Sequence, residues 1–249
     1  MKNNNKLIRM DTKVTSIGVD GCRGGWIAAV LKQGDLMINK YLSVSEIVKE
    51  YPEFDGFFID MIIGLAGNKE HVRPEAEARK LIRERSSTLF PAPCRQAVYS
   101  ESVAKAYEEN ERVLGKKFTP LTVGIIPKMR ELDMFLQENP RYKNVIRESH
   151  PEICFGRLNN STVLTKKSEQ EGMRERINIL SDFIKELDLD KITGLSKSFR
   201  CNADDVLDAV CLCVSANIVS QGKYQEVPEH PMTDDTGLLM QMIIPKCFE

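Results

Sequence analysis

Two short apolar runs in this chain end on an acid. Residues 17–19 (IGV) lead into Asp20, and residues 57–59 (FFI) lead into Asp60, each followed by turn-forming residues. Far downstream, Asp205 and Asp208 stand three apart in a helical pattern, so they share one face of that helix. Neighbouring parallel strands gather their end residues on the side where α/β sheets collect ligands. Carboxylates gathered there repel one another unless a cation sits between them. Hard oxygen donors suit Mg²⁺ or Mn²⁺ better than zinc. Two such ions would position a water and stabilise the departing oxygen of an in-line displacement, so the chemistry implied is phosphodiester hydrolysis. Glu148 ends a further strand-like run, and His150, two residues on, is the one histidine placed to move a proton.

Each acid also has a local use. Asp20 with Gly21 can start a turn, Asp60 can cap the loop before Gly64, and Glu148 can pair with Arg147. Asp204 and Asp205 fall in a first helical turn, where acids oppose the dipole. Asp208 lies deeper, between Leu207 and Ala209, where that account weakens.

The elements that must carry these residues follow from the pattern. Residues 14–20, 26–32 and 36–42 read as three antiparallel strands separated by a Gly-rich turn and by Gln33, Gly34 and Asp35. Residues 43–51 read as a helix, and 54–60 as a buried strand parallel to the first, with that helix as crossover. Helices are expected near 74–84, 98–110 and 127–138, forming an insertion over about 70–140. A strand reaching Glu148 follows. The stretch 168–187 is amphipathic, with Met173, Ile177, Leu180, Ile184 and Leu187 at helical spacing, and 202–222 is a second helix, capped by Asn202 and stopped by Gly222. Residues 237–245 read as an edge strand or a covering segment. The fold class expected is α/β: a mixed sheet with a three-stranded antiparallel start and parallel strands beyond, flanked by helices, in one domain over 14–249 behind a disordered tail at 1–13.

Composition narrows the function classes. The chain has 249 residues, 42% hydrophobic and 29% charged, with a net charge of −1. That near-neutral balance removes the broad basic field of proteins that coat nucleic acid, so any nucleic-acid or nucleotide contact must be local. No apolar run approaches the roughly 18 residues needed to span a bilayer, and the polar start has no signal-peptide core, so a cytoplasmic protein with no membrane partner is expected. Seven cysteines without a C-x-x-C pair fit neither a disulfide framework nor a structural zinc site.

The segments GVDGCRGGW (18–26), IDMIIGL (59–65), RPEAEARKLIRERSSTLFPAP (73–93), PKMRELDMFL (127–136), ESHPEICF (148–155), DDVLDAV (204–210) and TGLLMQMIIP (236–245) appear in an order that resembles the family called domain of unknown function 429, described as predicted RNase H-like nucleases. The resemblance implies an RNase H-like fold with Asp20 as the first-strand acid and Asp60 as the second. The stretch from Asp205 to Ala209 is similar to the D-x-x-D-A pattern of Holliday-junction resolvases, which implies metal ligation by Asp20, Asp60, Asp205 and Asp208. Glu148 stands just before the family's His-Pro-Glu motif, His150-Pro151-Glu152. Arg79, Arg85, Ser86 and Ser87 belong to an element that either holds a phosphate or ties down the insertion, and Arg23 in the first turn is a further phosphate candidate. The chain departs from the family pattern at Ile62, where a proline is usual, and at Pro74 and Glu75, where Cys-Asp is usual. Two other readings share the fold: a non-catalytic binding or scaffold protein, and an actin-like or sugar-kinase-type nucleotide binder that uses the turn after strand one as a phosphate cradle.

Overall fold

A computed structural model describes residues 10–247. Its sheet has seven strands in the order β3-β2-β1-β4-β5-β7-β6. The meander expected at the start is present: β1 (Ser16–Cys22), β2 (Gly25–Lys32) and β3 (Asp35–Tyr41) pair antiparallel. The reversal between β1 and β2 uses Gly24 and Gly25, both at positive φ, and a Cβ on Gly25 would stand 2.1 Å from the Tyr41 carbonyl. Helix α1 (Val44–Glu50), capped by the Ser43 side chain, then crosses to β4 (Gly56–Ile59), which pairs parallel with β1.

Between β4 and β5 (Ile146–Glu148) lie α2 (Glu75–Leu81), a 3₁₀ turn at Arg83–Thr88, α3 (Arg95–Val98), α4 (Val103–Leu114) and α5 (Pro120–Glu138). Helix α2 is shorter than the expected 74–84 because Ile82 leaves helical geometry and the chain tightens into the 3₁₀ turn. Then come α6 (Pro151–Leu158), α7 (Gln170–Ser181), α8 (Leu189–Phe199) and α9 (Ala203–Ser220). The pattern at 168–187 predicts one helix, yet α7 stops at Ser181 and α8 begins anew behind Asp188, whose side chain accepts the Lys191 amide.

The chain closes with β6 (Tyr224–Val227) and β7 (Met242–Pro245). The expected edge strand near the C-terminus is therefore interior: β7 sits between β5 and β6, and β6 forms the edge. All four residues of β7 are buried, which accounts for its unbroken apolar run. Met10 to Lys13, assigned above to the tail, are described; the Asp11 amide donates to Asn217 Oδ1, and Asn217 Nδ2 donates back to the Asp11 carbonyl. The rest of that tail, residues 1–9, lies outside the described residues.

Two cores sandwich the sheet. One lies on the face covered by α9 with α6 and α7, and includes Phe58, Phe155 and Val210; the other lies under α1, α4 and α5, and includes Ile17, Val19 and Trp26. Helix α9 is buried along nearly its whole length because it touches strands on one side and other helices on the other, so its sequence is apolar all round.

Candidate active site

The sheet register brings the two strand-end acids together. Val19 lies opposite Ile59, and the Asp60 amide donates to the Val19 carbonyl at 2.9 Å, so Asp20 and Asp60 leave neighbouring strands side by side. Strand alternation sets which face they use. A Cβ on Gly18 would stand 2.2 Å from the Ala209 carbonyl and 2.1 Å from the Cys213 amide nitrogen, so that residue faces α9 at contact distance. Asp20, two residues on, shares that face, and Asp60 shares the parity of Phe58, which packs in the α9-side core. Because α9 presses its backbone onto β1 at Ala209, Asp208 arrives beside them.

These acids line a cavity of about 330 Å³. Six carboxylates border it, from Asp20, Asp60, Glu75, Glu148, Glu152 and Asp208, against the cations Lys128 and Lys167. Burial, and then the charges of Asp60 and Asp208, push the Asp20 carboxyl well above the usual carboxylate range. Burial likewise pushes Asp60 and Asp208 up to about 6, against the pull of Lys167. The Lys167 ammonium donates to Asp208 Oδ2 at 2.6 Å and lies 3.3 Å from Asp204. Asp208 Oδ1 is buried with no partner among the described residues. His150 is the N-cap residue of α6; burial pushes its imidazole down to about 4, so the ring is neutral at pH 7, and its Nδ1 also lacks a partner among the described residues.

The model of the family described as "Protein of unknown function (DUF429)" matches residues 18–233, most of the chain and every residue lining this cavity except Met242. The chain belongs to the DUF429 family. Comparison with curated proteins and with solved structures found no match.

Of the site residues expected in this DUF429 chain, Asp20, Asp60, Asp208, Glu148 and His150 line the one cavity. Asp205 does not; its carboxylate accepts the Asn202 amide at 2.9 Å as half of a capping box, a local use in addition to the dipole role read from its first-turn position. Glu148 reaches the cavity already engaged, with both oxygens 2.8 Å from Arg73 and Oε2 accepting the Ile63 amide. It therefore pairs with Arg73 rather than with Arg147. The phosphate candidates scatter: Arg23 is exposed in the first turn, Ser86 and Ser87 lie in the 3₁₀ turn away from the cavity lining, and Arg85 sits 3.5 Å from Glu152. Arg79 donates to the Leu89 carbonyl and borders a different cavity. Glu152 is held by the fully buried Arg176, which also donates to the Thr165 carbonyl.

Two site residues of the DUF429 chain carry no signal in the sequence pattern. Lys167 sits in the irregular link between α6 and α7, among ordinary polar residues, and only the packing of that link brings it to Asp208. A Cβ on Gly172 would stand 2.0 Å from the Lys166 carbonyl, and Arg176 donates to the Thr165 carbonyl, so the chain just before Lys167 is held against α7. Arg73 is the second; its guanidinium is buried and bonded to Glu148, Glu75 and two backbone carbonyls.

The donor chemistry suits a divalent cation, although the side chains must move to hold one. Among the described residues no group of three His, Cys, Asp or Glu is spaced to hold an ion as the side chains stand. Mg²⁺, however, commonly binds through only one or two carboxylates and completes its shell with water and substrate oxygens. One or two of the carboxylates of Asp20, Asp60 and Asp208 meet that need, Asp208 through its unpartnered oxygen and with the Lys167 ammonium displaced.

Proposed function

We propose that this protein is a metal-dependent hydrolase of phosphodiester bonds with an RNase H-like architecture. The observation that carries the reading is the convergence of Asp20, Asp60 and Asp208, from β1, the end of β4 and α9, at one cavity where burial, and then neighbouring carboxylates, push all three carboxyls above the usual carboxylate range. The strand order 3-2-1-4-5, antiparallel for the first three and parallel after, supports the architecture. Mg²⁺ or Mn²⁺, held by Asp20, Asp60 and Asp208, would polarise the scissile phosphate and lower the pKa of an attacking water.

The chain's own groups have separable roles. The sheet holds the backbones of Asp20 and Asp60 side by side, and Asp20 Oδ1 accepts the Gly21 amide at 2.8 Å. Neutral His150 offers Nδ1 as a proton acceptor at the cavity wall. Lys128, seated 4.4 Å above the Trp26 ring and bonded to the Gly25 carbonyl, supplies a fixed positive charge for substrate oxygens. The Glu148–Arg73–Glu75 ion-pair chain supports the wall and engages both Glu148 oxygens in holding it.

Melting curves with and without Mn²⁺, together with hydrolysis of bis(p-nitrophenyl) phosphate, test this. The expected result is a rise of several degrees for the wild type, none for Asp20→Asn or Asp208→Asn, and Mn²⁺-dependent hydrolysis lost in both variants. An equal rise in all three proteins would remove the site as drawn. A second reading, a non-catalytic binding protein, draws on Lys167 already neutralising Asp208; a wild type that neither binds Mn²⁺ nor hydrolyses the ester favours it.

A further inference from the structure

A second cavity, of about 280 Å³, shares Glu75 with the first but has the opposite charge. Its border carries Lys69, Arg73, Arg79 and Lys116 against the single carboxylate of Glu75. The partition between the two cavities is built from charge. Arg73 lies 2.8 Å from Glu148 and 2.9 Å from Glu75, so carboxylates face the acidic cavity and the guanidinium borders the basic one. Arg73 and Glu75 neutralise each other there. That leaves Lys69, Arg79 and Lys116 in excess, and none of the three has an ion-pair partner among the described residues.

The three cations come from separate segments: the link after β4, helix α2 and the link after α4. Like charges brought together from distant parts of a chain repel unless an anion joins them. The C-terminal end of α4 explains one of them, since Lys69 Nζ lies against Gly115 in the cap of that helix, where the dipole favours a cation. Lys116, one residue past that cap, and Arg79, in the last turn of α2, each have similar support from a helix end, but that does not account for all three meeting at one cavity. Arg79 spends Nε and Nη2 on the Leu89 carbonyl, which fixes its plane and leaves Nη1 for a ligand. Ala66, Pro91, Ala92 and Leu114 supply apolar wall between the charges, which strengthens their pull on an anion. The cavity is near the lower limit of the roughly 300–1,000 Å³ usual for small-molecule sites.

We propose that this basic cavity is a binding site for a phosphate or diphosphate group, held by Lys69, Arg79 and Lys116 and separated from the carboxylate cavity by the Glu148–Arg73–Glu75 wall. It requires neither a metal nor phosphodiester hydrolysis, so it stands or falls apart from the function proposed above. The group is either inorganic or the phosphate tail of a nucleotide.

Inorganic pyrophosphate titrated calorimetrically into the metal-free 249-residue chain at low salt tests the site. Binding is expected to weaken about tenfold or more in Lys69→Ala/Lys116→Ala, as loss of charge-assisted contacts implies. Both lysines are exposed, so the double variant should keep its fold, which an unchanged melting temperature verifies. Asp20→Asn, which alters only the acidic cavity, should bind as the wild type does. No binding by the wild type, or undiminished binding by the double variant, overturns the proposal. A nucleoside diphosphate run in parallel separates the sources: affinity equal to that of pyrophosphate means that the anion alone is held, and tighter binding that the double variant also loses means a nucleotide tail.

Discussion

Lys167 and Asp60 are the residues at which the charge balance of the acidic cavity can be tested one atom group at a time. The Lys167 ammonium is 2.6 Å from Asp208 and competes with any added cation for it. Replacing it with methionine keeps the length and removes the charge. Lys167→Met should bind Mn²⁺ about tenfold tighter, since a unit charge a few Å away at a protein-like dielectric is worth on the order of 1–3 kcal/mol. The same variant should melt lower than the wild type without metal, because Asp208 then stays buried unpaired, and should recover when Mn²⁺ is added. Unchanged Mn²⁺ affinity would mean that Lys167 is not the competing cation. Asp60 gives a pH signature. Its carboxyl sits at about 6 in the fold against 3.8 as the ordinary value. The fold thus holds a proton that the unfolded chain gives up, and stability falls as pH rises from about 4 to about 6. Asp60→Asn removes that loss. In metal-free buffer the variant should match the wild type in melting temperature near pH 4 and exceed it by a few degrees at pH 7.5; a difference that does not grow with pH would sink the assignment.

At the scale of elements, the site depends on how closely α9 lies on β1 and β4. Two strand glycines permit that contact: Gly18 under Ala209 and Cys213, and Gly56 under Ala216, whose carbonyl would be 2.8 Å from a Cβ. Gly18→Ala must push α9 outward, and overpacking against backbone costs about 1–3 kcal/mol or more. For a chain of this size that is a drop of roughly 5–10 °C in melting temperature. Mn²⁺ stabilisation should fall with it, because Asp208 moves away from Asp20. The control is Gly124→Ala in the second turn of α5, where nothing lies within 4 Å of the added Cβ and helix propensity should raise stability by about 0.5–1 kcal/mol. Equal effects at the two glycines would remove the close-packing account. Strand and helix patterns carried the placement of Asp20, Asp60 and Asp208, since each follows a strong local period. Edges that depend on tertiary contact escaped. The break between α7 and α8 is set by the turn before Asp188, β6 is a short half-exposed strand with little periodic signal, and β7 is interior only because β6 folds back beside it.

Across the whole molecule, the near-neutral net charge conceals two opposed fields, an acidic cavity and a basic one divided by a single ion-pair wall. Composition shows only their sum, and no sequence pattern separates them, because Lys69, Arg79 and Lys116 belong to three segments that meet only in the fold. This arrangement limits what kind of phosphodiester the protein can hold. A protein that tracks duplex DNA neutralises many phosphates, and its affinity then falls steeply with salt. Here the cations in excess at a cavity are Lys69, Arg79 and Lys116, so no more than about three phosphates of a single strand should be neutralised, giving a log–log salt slope of about −2. Fluorescence anisotropy of a labelled short single-stranded oligonucleotide on Asp208→Asn, with Mg²⁺ present and salt varied, reads that slope directly. Lys69→Ala/Lys116→Ala combined with Asp208→Asn should flatten it toward zero. A slope steeper than about −5 would mean an extended basic surface that the sheet and its two cavities do not supply, and would place nucleic-acid contact elsewhere on the chain.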